Sequence, residues 1–143
     1  CTHVTKVLYV LFVLLSMSHI PIPYTLTLVA EPGHDVTIWC QHNLMEVAYI
    51  YWFTHTNHSV PHHVACQLYK KSSASSPCSF VHQSKRMVMS VNSQNTSLTI
   101  TAVNHTDSGL YYCGIRQSLE ISFSNTTYLQ VTGNVPCKRV TLH

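Results

Sequence analysis

Apolar and polar residues alternate with a period of two along most of the chain, from about Tyr24 to Thr132. Turn-forming residues interrupt this alternation roughly every 8 to 12 positions. No segment keeps the 3.6-residue period of a helix over three turns. The pattern therefore predicts many short strands, and hence an all-β sandwich or barrel.

The alternation also assigns each side chain to the inside or the outside of its strand, because neighbours along a strand point to opposite faces of the sheet. Tyr49, Tyr51 and Phe53 are predicted to face outward from one strand, and Tyr112 from another. The positions predicted to face inward are, strand by strand, Val36, Ile38 and Cys40, then Ile50 and Trp52, then Leu98 and Ile100, and finally Tyr111 and Cys113.

The first residues resemble a targeting signal. Val7–Leu15 is an uninterrupted apolar run preceded by Lys6, and it has the length of a signal-peptide core or about half a membrane span. Small residues follow in Ser16-Met17-Ser18, so we predict a signal peptide over 1–18 and a mature chain that starts at His19. A buried strand or helix is the alternative interpretation of this run.

The remaining sequence is predicted to form one domain over 19–132, followed by a stalk or C-terminal tail over 133–143. The sequence opens on Cys1 rather than on methionine, so we expect it to be incomplete at that end, and the C-terminus is left open. The protein is expected to be extracellular: secreted if the sequence is complete, and the ectodomain of a cell-surface receptor if it is a fragment.

Charge argues against nucleic acid as a partner. Charged residues make up 9% of the chain, against about 25% in an ordinary soluble domain. The formal net charge of +3 comes from 8 basic and 5 acidic residues that form no cluster, whereas nucleic-acid recognition needs a basic face.

The sequence also lacks the motifs of an active site or a cofactor site. It has only four glycines, no G-x-S-x-G nucleophile motif and no glycine-rich phosphate loop. Eleven histidines include His55, His58, His62 and His63, but no H-E-x-x-H or paired C-x-x-C motif accompanies them. We therefore expect no enzymatic activity, no metal and no cofactor, and interpret these histidines as solvated loop residues.

One constellation of residues is specific. Cys40 is followed by a tryptophan at position 52, and the later segment reads Asp107-x-Gly109-x-Tyr111-x-Cys113. Over residues 24 to 132 this resembles the immunoglobulin V-set pattern, and within it the innate immune-type receptors of the cell surface, including those of bony fish.

The resemblance implies a V-type β-sandwich of two antiparallel sheets. A disulfide between Cys40 and Cys113 would link the sheets over a core that contains Trp52 and Tyr111, and Arg86 would form a salt bridge with Asp107. The last strand departs from antigen receptors, because Ser122–Val131 contains no Phe-Gly-x-Gly bulge. Antibody-like pairing of two variable domains is therefore not expected.

Cysteine number raises two further expectations. Without Cys1, five cysteines remain, and Cys66 is expected to bridge Cys78 across Ser72–Pro77, which we interpret as a polar loop. Two free, partly buried thiols are the alternative. Cys137 is then left over beyond the domain, so we expect an interchain disulfide and a covalent dimer. A cysteine downstream of the sequence would be the rival partner.

Four N-x-Ser/Thr sequences predict N-glycosylation, although chance alone would give one or two in a chain so rich in Asn, Ser and Thr. Each falls where the strand pattern predicts a turn or a strand end: Asn57, Asn95, Asn104 and Asn125.

The outward aromatic residues are the candidate binding surface, because interfaces are enriched in aromatic side chains. V-set domains commonly bind through the sheet of strands G, F, C and C′, so the resemblance implies a protein partner on this same sheet. We predict contacts from Tyr51, Phe53 and Tyr112, and from Arg116 and Leu119 in an F-G loop over 115–124, with a B-C loop over 41–47 at the margin. A cover of loops, a glycan at position 57 or the extra disulfide is the alternative.

Three function classes are consistent with these features. The first is a ligand-binding ectodomain of an immune-type receptor, the second a secreted soluble binder or decoy, and the third an adhesion module that pairs with its own kind.

Overall fold

A computed structural model describes residues 25–56 and 59–133. Ten strands and one short 3-10 helix account for most of them. In chain order they are β1 (Leu26–Ala30), β2 (Val36–Gln41), β3 (Ala48–Thr56), β4 (His62–Lys70), β5 (Ser73–Pro77), β6 (Met87–Val91), β7 (Asn95–Ile100), the 3-10 helix (His105–Asp107), β8 (Gly109–Gln117), β9 (Glu120–Phe123) and β10 (Thr127–Val131).

The strands form two sheets. The larger sheet has the order β1-β10-β8-β3-β4-β5, with β9 also paired to β8, and the smaller has the order β2-β7-β6. Pairing is antiparallel except between β1 and β10, which run parallel. The predicted all-β sandwich is confirmed.

The core lies between the two sheets. It consists of the side chains that point inward from the strands of both sheets. The central strand β3 shows the period most clearly, since its burial alternates along Ala48–Thr56. The largest fully buried side chains are Trp52, Tyr111, Ile38, Ile50, Leu98, Ile100 and Leu129. Burying a large aliphatic or aromatic side chain stabilises a fold by about 1.5–3 kcal/mol, so these residues supply much of the stability of the sandwich.

A disulfide joins the sheets through this core. Cys40 on β2 of the smaller sheet is bonded to Cys113 on β8 of the larger sheet. Cys113 lies directly opposite Trp52 in the pairing of β3 with β8. The bond therefore lies beside the tryptophan ring at the centre of the sandwich.

Two expectations about loops are wrong. The expected F-G loop over 115–124 is mostly a hairpin, because a tight turn at Ser118 and Leu119 lets β9 pair back onto β8. Ser118 has a positive φ of 54°, as two-residue hairpin turns require. The polar segment expected as a loop before Cys78 is the edge strand β5, which pairs with β4 through its backbone and through a hydrogen bond of 2.6 Å from the hydroxyl of Ser75 to the side-chain oxygen of Gln67.

The expected glycosylation sequences lie at element ends. Asn95 opens β7, Asn104 caps the 3-10 helix, and Asn125 lies between β9 and β10. Asn57 lies outside the described residues, as do Cys137, the predicted signal peptide and all but the first residue of the predicted stalk.

Candidate partner-binding face

The outer surface of the larger sheet collects the aromatic residues that alternate with the core. On β3 and β8, Phe53 is paired with Tyr112, and Tyr51 is paired with Gly114. Phe123 on β9 is paired with Gly114 from the other side. The register therefore places aromatic side chains from three neighbouring strands on one surface, with a glycine in their midst.

These rings contact one another in a continuous row. The ring centroid of Phe53 lies 5.3 Å from that of Tyr112 and 5.8 Å from those of Tyr51 and Phe123. Such separations are those of favourable stacked and edge-to-face pairs. We call the surface formed by Tyr49, Tyr51, Phe53, Phe80, Tyr112 and Phe123 the aromatic face.

Gly114 makes this packing possible. A Cβ atom at this position would lie 2.8 Å from the ring of Phe53 and 3.2 Å from that of Phe123. Contacts this short force at least one ring to move. The absence of a side chain therefore allows the two rings to meet edge to face over β8.

The second disulfide adds a residue that the strand pattern does not predict. Cys66, opposite Tyr51 in the pairing of β3 with β4, is bonded to Cys78 in the segment that follows β5. This bond brings Phe80 to 5.9 Å from Tyr49 and 6.4 Å from Tyr51, measured between ring centroids. The alternative of a cover by this disulfide holds in part, because Tyr49 and Tyr51 are half-buried against the cluster of Cys66, Cys78 and Val81. Phe80 itself remains 61% exposed and adds a ring to the surface.

A charged residue and an apolar tip border the aromatic face. Arg116 lies opposite Tyr49 in the sheet, and the two line a cleft of about 400 Å³ together with Val47 and Phe80. Leu119 is 95% exposed at the tip of the β8–β9 hairpin. All five residues predicted to contact a partner therefore lie on this surface or at its margin.

A polar network fixes the strands beneath this surface. The carboxylate of Asp107 is 2.6 Å from a terminal nitrogen of Arg86, and it also accepts a hydrogen bond from the backbone N–H of Asn104 at 2.9 Å. The hydroxyl of Tyr111 donates to the backbone carbonyl of Asp107 at 2.6 Å. This network ties the start of β6 and the 3-10 helix to the central strand β8.

Two groups of the network have altered acidity. The hydrogen bond to Asp107 raises the pKa of Arg86, which stays charged at any physiological pH. Burial raises the pKa of Tyr111 to about 12, because the core cannot solvate a phenolate. In the loop after β2, burial lowers the pKa of His42, which favours its neutral form.

The raised pKa of Tyr111 predicts alkaline instability. The unfolded chain releases this proton near pH 10 and the folded chain near pH 12, so the contribution is complete below pH 10 and is lost as the pH rises toward 12. The free energy of unfolding should fall by about 1.4 kcal/mol per pH unit across this window. Urea denaturation at several pH values measures this slope, and Tyr111→Phe should flatten it. An equal slope in wild type and variant would show that Tyr111 does not cause the loss of stability at alkaline pH.

Within 25–56 and 59–133, no group of three histidine, cysteine or acidic residues is placed to hold a metal ion. In the same ranges no helix is long and apolar enough to span a membrane.

The fold and the cysteine framework define the class of this protein. The family model of the immunoglobulin V-set domain matches residues 25–132. The chain therefore belongs to the immunoglobulin V-set family.

Solved structures of similar fold include extracellular fragments of novel immune-type receptors from Ictalurus punctatus. Receptor 11 is 24% identical with a TM-score of 0.61, over 76% of this chain and 99% of that one. Receptor 10 is 24% identical with a TM-score of 0.59, over 76% and 99%. A receptor 11 fragment that includes the stalk region is 25% identical with a TM-score of 0.58, over 79% and 89%. No curated protein matches the sequence.

The chain thus carries a V-set domain that resembles immune-type receptor ectodomains. This implies an extracellular location and a receptor-like binding role, in a family whose members are generally not enzymes.

Proposed function

We propose that this chain is the ligand-binding ectodomain of an immune-type receptor and that it recognises a protein partner through the aromatic face. The observation that carries the proposal is the continuous row of rings on the outer surface of the larger sheet. The central rings of the row are half-buried against one another, while Phe80 and Phe123 are each 61% exposed. Contiguous apolar patches of this kind mark interaction sites.

The composition of the aromatic face suits protein recognition. Tyrosine and phenylalanine bury a large area and lose few rotatable bonds on binding. Arg116 beside Tyr49 adds one positive charge at the margin, and interface centres are enriched in aromatic residues and arginine. The partner would therefore present an apolar patch with an acidic group near its edge.

The receptor proposal is favoured over the secreted binder by the resemblance to receptor ectodomains alone.

The covalent dimer through Cys137 remains a prediction from cysteine number, and its test is a Cys137→Ser variant compared with wild type by non-reducing electrophoresis.

Removing one ring of the aromatic face should abolish binding while leaving the sandwich folded. Truncating an aromatic anchor at an interface centre typically costs about 2 kcal/mol or more, which is about 30-fold in Kd. Tyr112→Ala and Tyr51→Ala should each show this loss when fluorescent multimers of the glycosylated ectodomain are titrated onto the cell line that binds the wild type most strongly.

Thr99→Ala is the matched control, since Thr99 lies on the smaller sheet, where its hydroxyl pairs with that of Thr37 at 2.9 Å. It should bind as the wild type does. Loss of binding in Thr99→Ala with retention in Tyr112→Ala would place the site on the other sheet, and a wild type that stains no cell line would reject the proposal.

A further inference from the structure

One tryptophan lies on the outer surface of the smaller sheet. Trp39 is on β2, an edge strand of that sheet, and points away from the core, because its neighbours Ile38 and Cys40 are buried. It is 65% exposed, whereas Trp52, the other tryptophan of the chain, is 1% exposed. Aromatic side chains bury the largest apolar areas, so a group that covered the indole would gain hydrophobic free energy.

The side chains around Trp39 are polar and uncharged. None of the three strands of the smaller sheet contains a charged residue. The outward positions of β7 are Asn95, Ser97 and Thr99, and Ser97 lies directly opposite Trp39. A single ring among amide and hydroxyl groups differs from the aromatic face, where rings contact one another, and it suits a sugar. The negative face of the indole attracts the C–H groups of a sugar ring, and the polar neighbours can bond its hydroxyl groups.

The pairing of β2 with β7 places an N-glycosylation sequence beside the indole. Asn95 lies opposite Gln41, two positions from Ser97 along β7 and on the same outer surface. Trp39 and Asn95 are therefore diagonal neighbours, which are about 7–8 Å apart in an antiparallel pair. An asparagine side chain and one sugar ring together span this distance.

The other neighbours of Trp39 leave Asn95 as the group that can carry its cover. On the opposite diagonal, the hydroxyl of Thr99 pairs with that of Thr37 at 2.9 Å. Ser97 is 6% exposed although it points outward, a burial that an indole lying over β7 would produce. The side chain of Asn95 is partly exposed, and the hydrogen bonds of the turn before β7 use its backbone N–H and carbonyl.

We propose that Trp39 is the packing site for an N-glycan on Asn95, whose first N-acetylglucosamine stacks on the exposed indole. The covalent bond already holds the sugar close to the ring, so its effective concentration there is high. Ring and sugar meet only in the folded chain, so the contact stabilises the sandwich. The outer surface of the smaller sheet is then occupied by the sugar of the chain itself. This inference does not rest on the proposed protein-binding function.

Quenching of tryptophan fluorescence by acrylamide tests the stacking directly. The chain has two tryptophans, and Trp52 is buried, so quenching reports on Trp39. The chain is secreted from a eukaryotic host, and mass spectrometry of the peptide around Asn95 measures occupancy. The quenching constant of the glycosylated wild type should be about half that of Asn95→Gln, because the sugar blocks one face of the indole.

Thermal unfolding measures the contribution of the sugar to stability. Asn95→Gln and Ser97→Ala both abolish the acceptor sequence, and each should lower the Tm by about 4 °C. Ser97→Ala keeps the asparagine, so a shared loss reports on the glycan. Trimming a high-mannose glycan to its first N-acetylglucosamine with endoglycosidase H should leave the Tm unchanged. Asn125→Gln, which removes the acceptor between β9 and β10, is the matched control and should change neither the Tm nor the quenching.

A double-mutant cycle assigns the stabilisation to the contact between ring and sugar. Trp39→Thr keeps a residue that favours strands and should lower the Tm of the glycosylated chain about as much as Asn95→Gln does. In the Asn95→Gln background the same replacement should have little effect, because groups in contact are not additive.

An unoccupied Asn95, equal quenching in wild type and Asn95→Gln, or additive effects of Trp39→Thr and Asn95→Gln on the Tm would overturn the proposal. So would a Tm that falls when the glycan is trimmed to its first sugar. Quenching of the glycosylated wild type that weakens as the protein concentration rises would contradict the proposal in favour of an interface between two copies of this chain.

Discussion

Replacing Cys40 and Cys113 together by alanine should lower the free energy of unfolding by about 4 kcal/mol. The bond closes a segment of 73 residues between the two sheets, and in the chain-entropy model a cross-link stabilises mainly by restricting the unfolded chain. Small domains are stable by only about 5–15 kcal/mol, so the variant should be near or beyond the limit of folding at 37 °C. Urea denaturation monitored by tryptophan fluorescence measures the loss.

The second disulfide provides the matched comparison. Cys66 and Cys78 are 12 residues apart, so their joint replacement by alanine should cost about 3 kcal/mol on the same model. This bond lies outside the main core and positions Phe80, so its loss should also weaken partner binding in a chain that still folds. A Cys40→Ala/Cys113→Ala variant within 1 kcal/mol of wild type would show that the bond across the core contributes little.

Asp107→Ala should cost about 3 kcal/mol of stability. Its carboxylate is 8% exposed, contacts Arg86 and accepts the backbone N–H of Asn104. Breaking a buried pair costs about 3–5 kcal/mol, and the 40% exposure of the Arg86 side chain puts the value at the lower end, because water can solvate the guanidinium that remains.

Asp35→Ala is the control for this change. Asp35 also accepts a backbone N–H, that of Ala102 at 2.9 Å, but it is exposed, so its replacement should cost less than 1 kcal/mol. Chemical denaturation of both variants gives the comparison. A loss under about 0.5 kcal/mol for Asp107→Ala would mean that solvent screens the ion pair. The connection between β7 and β8 would then not depend on it.

The strands in which inward and outward side chains alternate could be predicted from the sequence. The alternation along β3 requires that Tyr51 and Phe53 face away from a buried Trp52, and the structure places them so. The spacing of Cys40, Trp52 and Cys113 indicated the family, because each residue occupies an inward, buried position of its strand.

The residues that were missed belong to segments without a period. Phe80 lies between strands, and only the bond from Cys66 to Cys78 brings it to the aromatic face. Phe123 joins the face because β8 and β9 form a hairpin, but the turn at Ser118 and Leu119 lacks the Asn-Gly or Asp-Gly pair that would have predicted one. Long-range contacts of this kind depend on pairing and register, which the local pattern of apolar residues does not contain.

The histidines show the same limit. His62 and His63 are close to His82 only because β4 packs near the segment that leads into β6. About twenty residues separate them in the sequence, so a spacing motif does not predict that they lie together.

Placing a new glycan on each sheet in turn is the sharpest test of the aromatic face as the binding site. Arg116→Asn completes an N-x-Ser sequence with Ser118 at the margin of the aromatic face, and Val88→Asn completes one with Ser90 on the outer surface of the smaller sheet. Mass spectrometry confirms occupancy, and Arg116→Gln separates the loss of the charge from the presence of the glycan. We expect at least a tenfold loss of cell binding for glycosylated Arg116→Asn, a smaller effect for Arg116→Gln and none for Val88→Asn. Undiminished binding by glycosylated Arg116→Asn, together with loss in Val88→Asn, would contradict binding through the aromatic face.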